Sequence, residues 1–201
     1  MSTYIVAITG ASGALYARAM LLALKDLGHS TCLTITGPGQ TLLQRELDWH
    51  LPAKTKLAEQ ELKRLLGYAA EDSRLQYFNW QDVGASIASG SFKTEGMIVI
   101  PCTMSTLAGI SSGNSGNLVE RAADVMLKER RPLVLVPRET PLNQIHLRNM
   151  LNLAELGVHI VPAMPAFYNR PESFAELANF VVGRVLDLLG VEHSLYQRWE
   201  G

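Results

Sequence analysis

The sequence predicts an α/β fold: a parallel sheet with helices packed on both of its faces, in one domain. Two observations predict it. Short apolar runs of strand length alternate almost from end to end with amphipathic segments of helix length. No internal repeat, low-complexity tract or linker interrupts the alternation, so residues 1–201 read as one unit with a short tail from about residue 191.

The elements follow in order. Tyr4 to Thr9 reads as a buried strand, broken by Gly10 to Gly13. Ala14 to Leu27 is a helix, closed by Gly28 where a left-handed cap is needed. Thr31 to Thr36 is the second strand, ended by Gly37-Pro38-Gly39. Helices are expected near Gln40 to Asp48 and Leu57 to Tyr68, and a weak strand at Leu75 to Phe78. Met97 to Cys102 and Leu133 to Pro137 are strong strands, and Val158 to Ala163 is a sixth. Helices near Leu118 to Glu129, Leu142 to Leu156 and Ser173 to Leu189 complete the chain. The Ser- and Gly-rich stretch Ser111 to Gly116 reads as an active-site loop, because its flanks are too short to be separate domains.

Composition excludes several functions. The 18 basic and 19 acidic residues leave a net charge of -1, without the basic excess of a general nucleic-acid binder. Cys32 and Cys102 are far apart and form no C-x-x-C pair, which argues against a disulfide scaffold and for a reducing cytoplasm. No apolar run approaches the ~20 residues of a membrane helix, and no signal-peptide pattern follows Met1. The five histidines (29, 50, 146, 159 and 193) show no metal spacing, and no G-x-S-x-G elbow is present.

In an open parallel sheet, ligands bind outside the carboxyl ends of the strands. Those ends lead into Thr9 to Gly13, Thr36 to Gln40, Thr103 to Thr106, Arg138 to Thr140 and Pro165 to Tyr168. Small, hydroxylated and charged residues therefore gather at one edge, and the opposite edge shows no such concentration. The first loop is not a dinucleotide fingerprint, because Ser12 and Leu15 stand where G-x-G-x-x-G needs glycine. It is a glycine turn at a helix start. Either its N–H groups and the Ser12 hydroxyl hold one phosphate, or Ser12 is simply the N-cap.

Arg121 and Lys128 lie seven residues apart, so both project from one helix face, with Asp124 able to pair with Lys128. Arg138-Glu139 is harder to read as surface decoration. Two charges directly after a buried strand suit phosphate binding and proton transfer, although a structural ion pair explains them equally well. Taken singly, Tyr168 reads as a half-buried core aromatic and Arg184 as a polar-face residue. Cys102 reads as a buried residue rather than a nucleophile.

Several motifs appear together and in order: Thr9 to Gly13 (TGASG), Ala88 to Ser91 (ASGS), Pro101-Cys102, Asn117 to Asp124 (NLVERAAD), Leu127 to Pro132 (LKERRP) and Leu135 to Glu139 (LVPRE). With Ile145 to Leu147, Asn149-Met150 and Pro165 to Tyr168 (PAFY), they resemble the UbiX-like flavin prenyltransferases over essentially the whole chain. The resemblance implies a Rossmann-like flavoprotein fold. It also implies transfer of a dimethylallyl group from dimethylallyl phosphate to N5 and C6 of reduced FMN, without a metal, for use by a UbiD-type decarboxylase.

By the same resemblance Gly10, Ala11, Ser12, Gly13, Thr36, Thr103, Ser105, Thr106, Arg121 and Arg138 contact FMN. Ser89, Gly90, Ser91, Lys128, Arg138, Tyr168 and Arg184 hold the prenyl phosphate. Glu139 is the family's catalytic glutamate, helped by Glu46 and Lys128. A homo-oligomer, commonly a dodecamer with sites at subunit junctions, is implied as well. Ser105 departs from the family pattern, which usually has Lys or Gly there. Two rivals remain: a cysteine decarboxylase of the same superfamily, for which no catalytic histidine is found, and a non-catalytic flavin carrier. The resemblance leaves open whether the donor carries one phosphate or two.

Overall fold

The computed structural model describes residues 1–199. Its sheet contains β1 (Thr3–Ile8), β2 (Ser30–Ile35), β3 (Leu75–Asn79), β4 (Gly96–Cys102), β5 (Leu133–Pro137) and β6 (His159–Ile160). All six strands are parallel, in the order β3-β2-β1-β4-β5-β6. The chain winds outward from β1 in one direction and from β4 in the other. The crossover helices therefore leave these two neighbours on opposite faces, and a crevice opens between their carboxyl ends.

Seven helices cover the sheet: α1 (Ala14–Asp26), α2 (Gly37–Leu47), α3 (Thr55–Leu66), α4 (Met104–Ser111), α5 (Leu118–Lys128), α6 (Gln144–Glu155) and α7 (Phe174–Leu188). Side chains alternate across each strand, so two cores form. Val6 and Ile8 of β1 join Leu33, Ile98 and Val134 under α1, α3 and α7. Ile5 and Ala7 join Met97, Val99 and Leu135 under α4, α5 and α6. Both faces of each central strand are dry, which is why these strands read as continuous apolar runs.

Two expectations need correction. The predicted loop Ser111 to Gly116 begins one residue later, because Ser111 belongs to helix α4, an element absent from the predicted set, whose N-cap Thr103 accepts from the Thr106 N–H. Ser111 ends that helix, and residues 112–117 form the turn to α5. The sixth strand is also shorter than Val158 to Ala163. Only His159–Ile160 is strand, although Val161 and Ala163 still donate to the Leu135 and Pro137 carbonyls. Among the described residues no helix is long and apolar enough to cross a membrane.

Candidate functional site

The β1–α1 loop is held by charges from two distant elements. The Glu46 carboxylate, near the end of α2, accepts from the Gly13 and Ala14 N–H groups at 3.0 and 2.8 Å. The Ser12 hydroxyl is a further donor to it. From the other side, Arg138 Nε donates to the Ser12 carbonyl at 3.0 Å. Partial burial opposes ionisation of Glu46. The bonds from Ser12, Gly13 and Ala14, with the nearby Arg138 charge, outweigh it and hold Glu46 below the usual carboxylate range. At neutral pH Glu46 is therefore an anion.

This overturns both readings of the loop. Ser12 does not cap α1: the N-cap is Gly13, at φ 124, and no side chain of its own closes the helix. Nor are the first amides of α1 free for a phosphate, because Glu46 takes them.

Glycines let the turns at this edge pack closely against one another. A Cβ on Gly10 would stand 2.5 Å from the Pro38 Cβ, and one on Gly39 would stand 2.6 Å from the Ile8 carbonyl oxygen. The Ile8 carbonyl also accepts from the Thr36 N–H at 3.0 Å. It has no room to move without breaking that bond. Gly39→Ala is therefore expected to lower stability by about 1–3 kcal/mol, the usual range for overpacking, in a urea melt.

The remaining hydroxyls line the same edge. Thr9 Oγ1 donates to the Pro101 carbonyl and accepts from the Thr103 N–H, both at 2.8 Å, which ties the ends of β1 and β4 together. Thr103 and Thr106 hydroxyls bond each other at 3.0 Å. Ser105 is exposed on the first turn of α4. Helix α5 starts at this edge, where the Leu118 N–H donates to the Trp80 carbonyl, and Arg121 is exposed on its first turn. Glu139 is exposed, with Oε1 accepting from the Thr140 N–H at 3.0 Å. Arg138 and Glu139 also border a cleft of about 450 Å³ reaching Leu142, Met150 and Met164.

Not every expected residue lies here. Lys128 is the last residue of α5, before the amino end of β5, whereas Arg138 follows its carboxyl end. Five strand residues separate the two edges by about 17 Å. The segment 89–91 shares the far edge with Lys128: Gly90 lies against the Glu129 side chain, and Arg131 donates to the Gly90 and Phe92 carbonyls, each at 2.6 Å. The amino edge thus carries its own polar cluster. The expected Asp124–Lys128 pair is not among the salt bridges of the described residues.

Tyr168 and Arg184 form a third group. Tyr168 is 43% exposed rather than a core aromatic, and its ring meets Phe180 and Trp199 edge-on at 5.9 and 5.3 Å. Arg184 lines the same pocket with Tyr196 and Arg198. The sequence reading missed Asp187, His193, Tyr196, Arg198 and Trp199, and no local pattern marks them as a set.

Burial pushes the Cys102 thiol up to about 12 and the Cys32 thiol up to about 11, so neither is a nucleophile. Among the described residues, no group of three His, Cys, Asp or Glu side chains is placed to hold a metal ion.

The residues at the carboxyl edge fit a flavin mononucleotide by their chemistry. The hydroxyls at 36, 103, 105 and 106 and the Arg121 guanidinium are donor types that suit a phosphate. Comparison with known proteins agrees. The Flavoprotein family matches residues 2–186. A flavin prenyltransferase UbiX of Halalkalibacterium halodurans is 50% identical over 98% of this chain and 92% of its own. A crystal structure of AnUbiX in complex with FMN and dimethylallyl pyrophosphate superposes with a TM-score of 0.87 at 42% identity, covering 100% of this chain and 98% of that one. A dodecameric FMN-dependent UbiX-like decarboxylase from Escherichia coli O157:H7 gives a TM-score of 0.84 at 46% identity, covering 99% of this chain and all of that one. The chain therefore belongs to the Flavoprotein family and, within it, to the UbiX-like flavin prenyltransferases.

Proposed function

We propose that this protein joins the dimethylallyl group of dimethylallyl phosphate to N5 and C6 of reduced FMN, releasing phosphate and giving prenylated FMN for a UbiD-type decarboxylase. One observation carries the reading: Arg138 and Glu139 follow β5 side by side, with Arg138 bonded to the flavin-loop carbonyl of Ser12. A phosphate-seeking cation and a proton acceptor thus meet at the edge of the crevice.

Bound reduced FMN would supply the nucleophilic nitrogen and carbon. The chain's residues do the rest. Gly10, Ala11, Ser12 and Gly13 seat the ring, and Thr36, Thr103, Ser105, Thr106 and Arg121 hold the flavin phosphate and its linker. As the allylic C–O bond breaks, the phosphate leaves with the bonding pair. Lys128, Arg138 and Arg184, with the Tyr168 hydroxyl, stabilise that growing charge. Ser89, Gly90 and Ser91 hold the prenyl group. Forming the two bonds requires the loss of two protons, from N5 and C6, and the delivery of one to the prenyl double bond, so that one net proton leaves with the phosphate. Glu139, with Glu46 or the released phosphate, is the shuttle in this reading.

Lys128 lies too far from Arg138 within one chain to share one phosphate with it. The reading therefore requires a homo-oligomer, which we take to be a dodecamer, with sites built at subunit junctions. The exposed apolar residues Ile145, Leu147 and Leu151 of α6, with Leu156 just after its end, support such an assembly.

The test is to mix the protein anaerobically with reduced FMN and dimethylallyl phosphate and to weigh the flavin product. The expected result is a mass gain of one prenyl unit with one phosphate released. FMN binding without any mass gain would move the reading to a flavin carrier.

A further inference from the structure

One carboxylate organises the third group. Asp187 Oδ1 accepts from Arg198 Nη2 at 2.6 Å and from His193 Nε2 at 3.1 Å. Oδ2 accepts from the Tyr196 hydroxyl at 2.6 Å, Arg184 Nη1 at 3.1 Å and Arg198 Nη1 at 3.3 Å. Three residues of the segment 191–199, His193, Tyr196 and Arg198, thus converge with Arg184 on a single side chain of α7.

The segment is seated as well as charged. The His193 side chain is 1% exposed, and its Nδ1 accepts from the Leu195 N–H at 3.2 Å. The ring proton must then sit on Nε2, which donates to the Gly183 carbonyl at 2.9 Å and to Asp187. Gly183 makes the seat possible. A Cβ there would stand 2.5 Å from Tyr196 Cδ1 and 2.8 Å from His193 Cε1. With the segment in place, Tyr168, Phe180, Arg184, Tyr196, Arg198 and Trp199 enclose a pocket of about 320 Å³.

The charge left over points to an anion. Two guanidiniums share one carboxylate around a neutral imidazole, which leaves one positive charge facing the pocket. Arg184 uses only Nη1 for its bonds to Asp187 and Tyr196 among the described residues. Its Nε and Nη2 edge, the fork that suits a phosphate, is not taken up by them.

We propose that Asp187 is a positioning residue for prenyl-phosphate binding: it aims the free edge of Arg184 into the pocket and straps residues 191–199 onto α7, so that Trp199 lines the pocket edge-on to Tyr168. The proposal rests on the reading of Arg184 as a phosphate contact. Burial disfavours the ionised form of Asp187, but the bonds from Arg198 and Tyr196 outweigh it and hold the carboxyl down to about 2, so the strap stays charged through the neutral range.

The test is steady-state kinetics of Asp187→Asn, Arg184→Ala and the double variant in the full chain, with FMN affinity measured alongside. Asp187→Asn is expected to raise KM for dimethylallyl phosphate by about 10–100-fold, the usual consequence of losing a hydrogen bond to a charged group. FMN affinity should stay within about threefold, whereas kcat should fall as well, because Arg184 also faces the charge that grows on the leaving phosphate. In the Arg184→Ala background the same substitution should raise KM by clearly less, because the two act through one contact. An unchanged KM in Asp187→Asn, or full additivity in the double variant, overturns the proposal. An unchanged KM in Arg184→Ala also overturns it, and shows separately that the phosphate reading of Arg184 was the part at fault. If Asp187→Asn does not fold, Gly183→Ala, which displaces His193 and Tyr196 without removing a charge, must raise the same KM. If it leaves KM unchanged, the proposal falls.

Discussion

Glu139→Gln is expected to lower the rate of prenyl transfer by about 100- to 10,000-fold, the range of a lost general base, while FMN still binds. The expectation follows from position. Glu139 stands next to Arg138 at the carboxyl end of β5, with one oxygen held by the Thr140 N–H and the side chain exposed at the cleft. Glutamine keeps the size, and its amide oxygen can still accept from Thr140, so the loop and the Arg138–Ser12 bond should survive. What it loses is the capacity to take a proton. Rapid-quench measurement of prenylated flavin under single-turnover conditions separates this step from product release. Glu139→Asp, which keeps the acid one carbon further back, should lie between the two. A Glu139→Gln protein that turned over at the normal rate would leave Glu46 and the leaving phosphate as the only proton acceptors.

Much of this arrangement was legible in the chain because parallel strands announce their own ends. β1, β4 and β5 are dry on both faces, so their apolar runs are nearly unbroken and their carboxyl ends are sharp, and β2, although it buries Thr31 and Thr34, ends as sharply at Gly37-Pro38-Gly39. That is what located Thr36, Thr103 and Arg138-Glu139 at one edge before any coordinates. Helix α4 was not legible. Its sequence, MSTLAGIS, has no charge and mostly small side chains, so the polar side opposite buried Met104, Leu107 and Ile110 is weakly marked and the segment is only two turns long. Thr103, its N-cap, looks like an ordinary strand-end hydroxyl.

Contacts between distant segments were hidden for a different reason. Glu46 reaches Gly13 and Ala14 across more than thirty residues, and nothing in the QRELD pattern says which helix start it closes. Asp187 reads locally as one more polar residue on α7, since its partners His193, Tyr196 and Arg198 follow no helical spacing. The resemblance to a family supplied a set of site residues without their geometry. It did not reveal that Lys128 and Arg138, ten positions apart, stand at opposite ends of β5.

That separation yields the sharpest test of the site. Lys128→Ala and Arg138→Ala should each lower activity by about 100-fold or more, as losing one donor to a developing anion does. Mixed after partial dissociation and reassembly, the two inactive proteins should regain activity. A junction that takes Lys128 from an Arg138→Ala protomer and Arg138 from a Lys128→Ala protomer carries both cations intact. Random assembly of equal amounts makes about a quarter of the junctions whole, so about a quarter of wild-type activity should return. A site contained within one chain cannot be rescued in this way, because every protomer would keep its own defect. Recovery fixes Lys128 and Arg138 on different subunits of one active site. Its failure, with reassembly verified by size and by exchange of a label, would remove Lys128 from the phosphate site and leave Arg138 and Arg184 to hold the leaving group.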